Sequence, residues 1–246
     1  MKLLLLSDIH GNLSALDAVI NDAYRRISDG SHFDGVILLG DNIDYGMRSN
    51  EVVAELSALK IPIICSVWGN HENAILTSNF EHFSSERGRG CAQNTAAHLS
   101  DFSRMWLTNT AAHTGAASID LVGKRILVIH GNIEDPLWGT LAPSQCDFSA
   151  YDLYDVVISG HSHIPHIFTV LLSDNNPKMR NKKAITFINP GSVGQPRNHD
   201  PRASYVIWDT ESGFQLNNAE YDIELEQSLY DGSVDVFYRD RLTLGV

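Results

Sequence analysis

Apolar positions follow two regimes along the chain. Residues 3–9 open with four consecutive leucines, Leu3 to Leu6, and read as a short buried strand that ends in polar Ser7 and Asp8. Asn12 stands where it caps a helix, and Leu13, Leu16, Ala18, Ile20 and Ala23 then recur at roughly helical spacing. Residues 35–39 form a second strand. Residues 49–59 form a helix with Val52, Val53, Leu56 and Leu59 on one face, and residues 61–67 form a third strand. Residues 92–108, with Ala96, Ala97, Leu99, Phe102, Trp106 and Leu107, read as one core-packing helix. Strands alternating with helices predict a sheet with helices on its outer face.

Beyond residue 118 the helical pattern fades. Residues 119–122, a turn at Gly123 and Lys124, and residues 126–129 predict a hairpin. Strands follow at 156–159, 167–172, 184–188 and 204–208, and residues 222–230 predict a final helix. The pattern as a whole is α/β: two packed mixed β-sheets flanked by helices. No repeat or long linker divides it, so one domain over 1–246 is expected.

Composition narrows the function. At 246 residues, 43 % hydrophobic and 20 % charged, the chain can bury a substantial core and is not disordered. Eighteen basic against 30 acidic residues give −12, which opposes binding long nucleic acid or an anionic membrane. The leucine run after Lys2 begins like a signal peptide but stops at Ser7-Asp8, and no stretch nears a membrane span. A cytoplasmic protein is expected. Cys65, Cys91 and Cys146 are too few and too scattered for a disulfide scaffold or a thiolate zinc site, and their odd number suits a reducing compartment.

Eleven histidines remain to be placed, and several stand where strands end. The ends read Asp8-Ile9-His10, Gly40-Asp41-Asn42-Ile43-Asp44, Gly69-Asn70-His71-Glu72, His130-Gly131 and Gly160-His161-Ser162-His163. Strand C-termini are where α/β folds place their sites. Carboxylate, amide oxygen and imidazole without thiolate suit manganese, iron or zinc in a hydrolytic centre. Seven such donors exceed the needs of one ion and match two that share a carboxylate.

In this order the five motifs resemble the calcineurin-like metallophosphoesterase superfamily. Asn189-Pro190-Gly191-Ser192-Val193-Gly194-Gln195-Pro196-Arg197, the following Asp200-Pro201-Arg202-Ala203-Ser204-Tyr205, and Asp135-Pro136-Leu137-Trp138 after His130-Gly131 resemble its small prokaryotic branch. The resemblance implies a four-layer α/β/β/α sandwich. It implies one divalent metal on Asp8, His10, Asp41 and His163, and a second on Asp41, Asn70, His130 and His161. It implies a hydroxide bridging the two, and His71 as the non-ligand histidine that protonates the leaving group or binds phosphate, oriented by Asp44. The ions can be manganese, iron, zinc or nickel. The implied substrate is a small phosphate ester, a phosphodiester such as a cyclic nucleotide first, then nucleotide polyphosphates and phosphomonoesters. Asn70, His71 and Arg197 are expected to touch it.

The Ser/Thr protein phosphatases of this superfamily have Arg after the second motif's last Asp, whereas Asp44 is followed by Tyr45. This speaks against a protein phosphatase, and Arg197 or Arg48 could substitute for the missing guanidinium. A metal-deficient binding scaffold is the alternative from another class, opposed by the intact donor set. Other residues have plainer readings. Glu72 sits in the first turn of a helix, Gly191 and Gly194 serve a tight turn, and Arg197 could equally make a structural ion pair. His32, His82, His98, His113, His166 and His199 belong to no motif and read as surface or core. Segments 80–117 and 133–152 are expected to shape the substrate pocket.

Overall fold

The computed structural model describes residues 1–27, 31–144 and 147–246. Cys146 lies outside the described residues; Cys65 and Cys91 are free and buried. The leucines of β1 (Lys2–Leu6) are buried without alternation because the strand has a core on each face. Leu4 and Leu6 pack towards α1 (Leu13–Arg26) and α2 (Ser49–Ala58), while Leu3 and Leu5 face the second sheet.

The first sheet runs β10 (Gly213–Ala219), β9 (Ala203–Asp209), β1, β2 (Gly35–Leu38), β3 (Ile63–Ser66). The second runs β4 (Ala116–Leu121), β5 (Lys124–Ile129), β6 (Val156–Ser159), β8 (Lys182–Asn189), β7 (His166–Ser173). Both are mixed and built alike. A parallel trio, β1–β2–β3 in one and β5–β6–β8 in the other, is extended by antiparallel strands. Leu3, Leu5, Ile37 and Val206 from one sheet meet Ile126, Val128, Val156, Ile158 and Ile188 from the other in a shared core. Over the outer face of the second sheet lie Leu141, Tyr151 and Phe148, from a loop and a 3-10 turn.

The expected helix 92–108 is two helices, α4 (Glu86–His98) and α5 (Asp101–Thr110). Leu99 is extended, and the Ser100 hydroxyl accepts the Ser103 N–H as an N-cap. Asn50 of α2 holds the break open: its amide donates to the His98 carbonyl at 3.0 Å, and its oxygen accepts the Ser100 N–H at 2.9 Å and the Ser103 hydroxyl at 2.8 Å. A tertiary contact thus replaces helical hydrogen bonds that the apolar periodicity would have continued. The terminal helix is shorter than expected, α6 (Ile223–Ser228), and α7 (Val236–Asp240) follows it. β10 was hidden by its polar sequence; its register is set by pairing with β9, with Phe214 against Trp208 at 4.8 Å.

The hairpin turn falls one residue earlier than expected, at Val122 (φ 48°) and Gly123 (φ 72°), between paired Leu121 and Lys124. Two consecutive left-handed residues make a type I′ turn, which favours Asn-Gly and penalises a β-branched side chain in its first place. Val122→Asn is expected to stabilise the protein by about 1 kcal/mol, raising the thermal midpoint by roughly 2–4 °C. Denaturant and thermal unfolding check this; an unchanged or lower midpoint contradicts the turn assignment.

Candidate metal centre

The C-terminal ends of all six parallel strands converge. Asp8 and His10 follow β1, Asp41 and Asp44 follow β2, and Asn70 and His71 open α3 (Asn70–Thr77) after β3. His130 follows β5, His161 and His163 follow β6, and the loop carrying Arg197 follows β8. These loops are strained. Asp8 (φ 54°), His10 (48°), Asp41 (52°), Asp44 (75°), Tyr45 (60°), His161 (61°) and His163 (58°) are all left-handed. Asp and His tolerate this region better than most residues, yet each costs of order 1 kcal/mol or more. Hydrogen bonds between loops offset that cost: Asp8 N–H to Gly40 O, His10 N–H to Asp41 O and Gly11 N–H to Asn42 O, at 2.9–3.0 Å. Close approach explains two glycines. A Cβ on Gly69 would lie 2.0 Å from an Asp41 carboxylate oxygen, and one on Gly194 1.8 Å from the Ile9 carbonyl.

All seven expected metal ligands are brought together. His163 Nε2 lies 3.1 Å from Asp8 Oδ1 and 3.3 Å from His10 Nε2. His10 Nε2 lies 3.7 Å from Asp41 Oδ2, and His130 Nε2 3.3 Å from the same atom. Asn70 Oδ1 is 3.1 Å from both His130 Nε2 and His161 Nδ1. Asp8, His10 and His163 form one candidate group, and Asp41, His130 and His161 another.

Hydrogen bonding decides what these atoms can do. The Nδ1 atoms of His10, His130 and His163 each face a backbone carbonyl: Ile43 O at 3.2 Å, Leu39 O at 2.7 Å and Gln195 O at 2.5 Å. A carbonyl only accepts, so each Nδ1 carries a proton, and the neutral ring presents a lone pair at Nε2. Those of His10 and His163 point at each other, and Asp8 Oδ1 beside them has no hydrogen-bond donor. Buried electron pairs facing one another this way fit a cation between them.

The titration directions agree. Burial, then neighbouring charges, hold His163 down to about 4 and His161 to about 3, and burial keeps His10 well below its ordinary value, so these rings are neutral donors. Burial would raise Asp41, but His130, His71 and His10 outweigh it and hold the carboxyl well below the usual range. Burial opposes charging of His130, yet Asp41 raises it to about 9; a cation held at Asp41 would displace that proton.

His71 differs in kind. Its Nδ1 faces not a carbonyl but Asp44 Oδ2, at 2.6 Å. Burial opposes its protonation, but Asp41 and Asp44 outweigh this and raise its pKa, which favours a proton on Nε2. Asp44 is wholly buried, and its other oxygen accepts the Thr95 hydroxyl at 2.6 Å and the Cys91 thiol at 3.1 Å. The sequence offered no signal for Thr95 or Cys91, which reach Asp44 from α4.

Glu72 also does more than start a helix. Its buried carboxylate accepts backbone N–H groups from Gly69, Asp41 and Asn42 at 2.7–2.9 Å, pinning the β2 loop to the start of α3. Asn12 caps α1 through Ala15 N–H and donates to Gly194 O.

A cavity of about 290 Å³ opens over these groups, lined by Asp41, Asn70, His71, His161, His163 and Arg197 among others. Arg197 therefore reaches the site. Arg48 does not: its guanidinium pairs with buried Glu226 and with Ser14 of α1 and is not on the cavity lining, which removes it as a substitute phosphate ligand. The opposite wall was missed. His82, Phe83 and Trp138 line it, with His82 stacked on Trp138 at 5.6 Å and Phe83 edge-on to it at 5.3 Å. They come from the two segments expected to shape the pocket.

Comparison with known proteins follows the same lines. The model of the calcineurin-like phosphoesterase superfamily domain matches residues 1–213. An uncharacterised protein of Methanocaldococcus jannaschii is 30 % identical over 248 residues, covering 98 % of this chain and 96 % of the relative. A metallophosphoesterase from Sphaerobacter thermophilus superposes with a TM-score of 0.77 at 26 % identity, over 100 % of this chain and 99 % of the other. A hypothetical protein from Pyrococcus horikoshii shares the fold, with a TM-score of 0.75 at 18 % identity over 96 % and 97 % of the two chains.

Removing the Glu72 carboxylate leaves three buried N–H groups unpaired. Glu72→Ala is expected to cost roughly 3–5 kcal/mol and lower the thermal midpoint by roughly 6–20 °C, with a smaller loss for Glu72→Gln. Unfolding of the alanine variant at the wild-type temperature contradicts this role.

Proposed function

The chain belongs to the calcineurin-like phosphoesterase superfamily, and from that premise we propose that it hydrolyses a small phosphate ester at a pair of divalent cations sharing Asp41. Asp8, His10, Asp41 and His163 would hold one cation; Asp41, Asn70, His130 and His161 would hold the other. The observation that carries this reading is the set of carbonyl-locked imidazoles whose Nε2 lone pairs meet at the Asp8 and Asp41 carboxylates. Manganese, iron, zinc and nickel all suit the donors. When bound, such a pair supplies a nucleophile at neutral pH and neutralises charge on the phosphoryl oxygens.

The chain's own groups do the rest. His71 carries its proton on Nε2, 3.9 Å from Asp41 Oδ2 and on the cavity wall. Asp44 holds that imidazolium charged and turned, and the proton passes to the departing ester oxygen. Arg197 and Asn70 bind phosphoryl oxygens. The cavity volume of about 290 Å³ favours a phosphodiester or nucleotide over a macromolecule. Tyr45, where the protein phosphatases have Arg, is buried and stacked on Tyr238 at 4.2 Å, which opposes a phosphoprotein substrate. The complete donor set opposes a metal-free scaffold. The buried free thiols of Cys65 and Cys91 support a reducing, cytoplasmic setting for a single domain spanning 1–246. Among the described residues no helix is long and apolar enough to cross a membrane.

The test separates the proton donor from the ligands. His71→Ala is expected to lower kcat by roughly 10²–10⁴-fold on an alkyl phosphodiester, less on an aryl one whose leaving group needs no proton, with metal content retained. Asp44→Asn follows His71→Ala in weaker form. Asp41→Asn loses both metal and turnover, and chelation abolishes wild-type activity until manganese is returned. Metal analysis with steady-state kinetics reads all of these; wild-type turnover in His71→Ala, or full metal content in Asp41→Asn, contradicts the proposal.

A further inference from the structure

A second guanidinium, from the C-terminal segment, lies against Tyr45 of the cavity wall. Arg241, just after α7, lies among Tyr45, Phe237 and Tyr238, its Cζ 5.8, 5.4 and 5.8 Å from their ring centroids. It is only 7 % exposed, and its buried Nε and Nη2 make no hydrogen bond. No carboxylate among the described residues pairs with it; adjacent Asp240 pairs with Arg239. Arg197, on the cavity wall, likewise has a buried Nε without a partner. Two ties hold the segments together: Gln195 Nε2 donates to Tyr238 O at 3.4 Å, and His199 N–H to Gly245 O at 2.7 Å.

This is an unusual way to bury positive charge. The chain has 30 acidic residues for 18 basic ones, and Arg26, Arg48, Arg202 and Arg239 each reach a carboxylate. Arg241 reaches none, and its segment is tied to the one carrying Arg197, whose guanidinium likewise pairs with no carboxylate among the described residues. Burial, then the charge of Arg197, push its pKa down to about 10. The aromatic rings offset part of the desolvation by cation–π contact, but they do nothing for the repulsion between two guanidiniums. An anion lying between them removes both deficits, and phosphate matches the guanidinium fork. Tyr45 forms the floor: it lines the cavity, its ring is 4.5 Å from that of His10, and Arg241 lies over it. The position is beside the metal centre rather than on it.

We propose that Arg197 and Arg241 form a clamp for a second phosphate of the substrate, next to the scissile one, so that the natural substrate carries at least two phosphate groups. The inference rests on the phosphoesterase reading for its substrate, but its binding test does not depend on turnover. Calorimetry on the manganese-loaded protein compares α,β-methylene-ADP, which cannot be hydrolysed between its phosphates, with the adenosine phosphonate that lacks the second phosphate. The wild type is expected to bind the former at least about tenfold more tightly. Arg241→Met reduces that preference to below about threefold, and Arg241→Lys, which keeps the charge, retains more of it. If Arg241→Met does not fold, Arg197→Met, on the cavity wall, tests the same clamp and is expected to lose the preference as well. A wild type with no preference, or a folded methionine variant with the full preference, overturns the clamp. Failure of the wild type to cleave any phosphate ester with any divalent metal overturns the enzymatic reading instead, and leaves the binding result to judge the clamp alone.

Discussion

Two imidazole nitrogens, His10 Nε2 and His163 Nε2, face each other 3.3 Å apart inside the protein, and neither can turn away. Their Nδ1 protons are committed to the Ile43 and Gln195 carbonyls, and a carboxylate oxygen of Asp8 with no donor lies against them. All three groups are buried, so this arrangement is electrostatically unfavourable on its own and becomes favourable around positive charge. The surrounding architecture serves to hold it. The carbonyls that lock the rings belong to loops from different strands, so the tautomers of the ligands depend on the packing of both sheets.

The fold achieves this by duplication of a simple device. Each sheet contributes a parallel trio, and the two trios point their C-terminal ends at the same place. Short loops then force seven residues into left-handed backbone. Such strain persists only where the structure over-determines it, here through bonds between loops and through Glu72, which gathers three N–H groups. The same frame distinguishes two classes of histidine. Those set by carbonyls turn Nε2 towards the Asp8 and Asp41 carboxylates, whereas His71 is set by Asp44.

Much of this was legible in the residues, for a physical reason. Strands buried on both faces, such as β1, must be continuous apolar runs, and donors for hard cations must be Asp, Asn and His, so both leave compositional marks. Of the expected residues, Asp41, Asn70, His71, His161, His163 and Arg197 line one cavity, and Asp8, His10, His130 and Asp44 pack against them. What stayed hidden was set by tertiary contact. Asn50 splits the helix expected at 92–108, β9 sets the register of a polar β10, and Thr95 and Cys91 reach Asp44 from a distant helix. Arg48 was diverted to Glu226 by a contact 178 residues away, and Arg241 arrives from a segment with no motif at all. Spacing along a chain cannot report such meetings. Backbone strain was likewise invisible, because Asp and His in a strand-end motif look the same at either sign of φ.

Two cations at the proposed site would relieve the repulsion among its buried electron pairs and stabilise the fold. Titration of the metal-stripped protein with manganese, followed by calorimetry and by thermal unfolding on the same samples, tests it most directly. Two equivalents are expected to bind per chain, with a midpoint that climbs with free metal, because binding to the folded state alone stabilises it by mass action. Binding of fewer than two equivalents, or a midpoint indifferent to manganese, would contradict it.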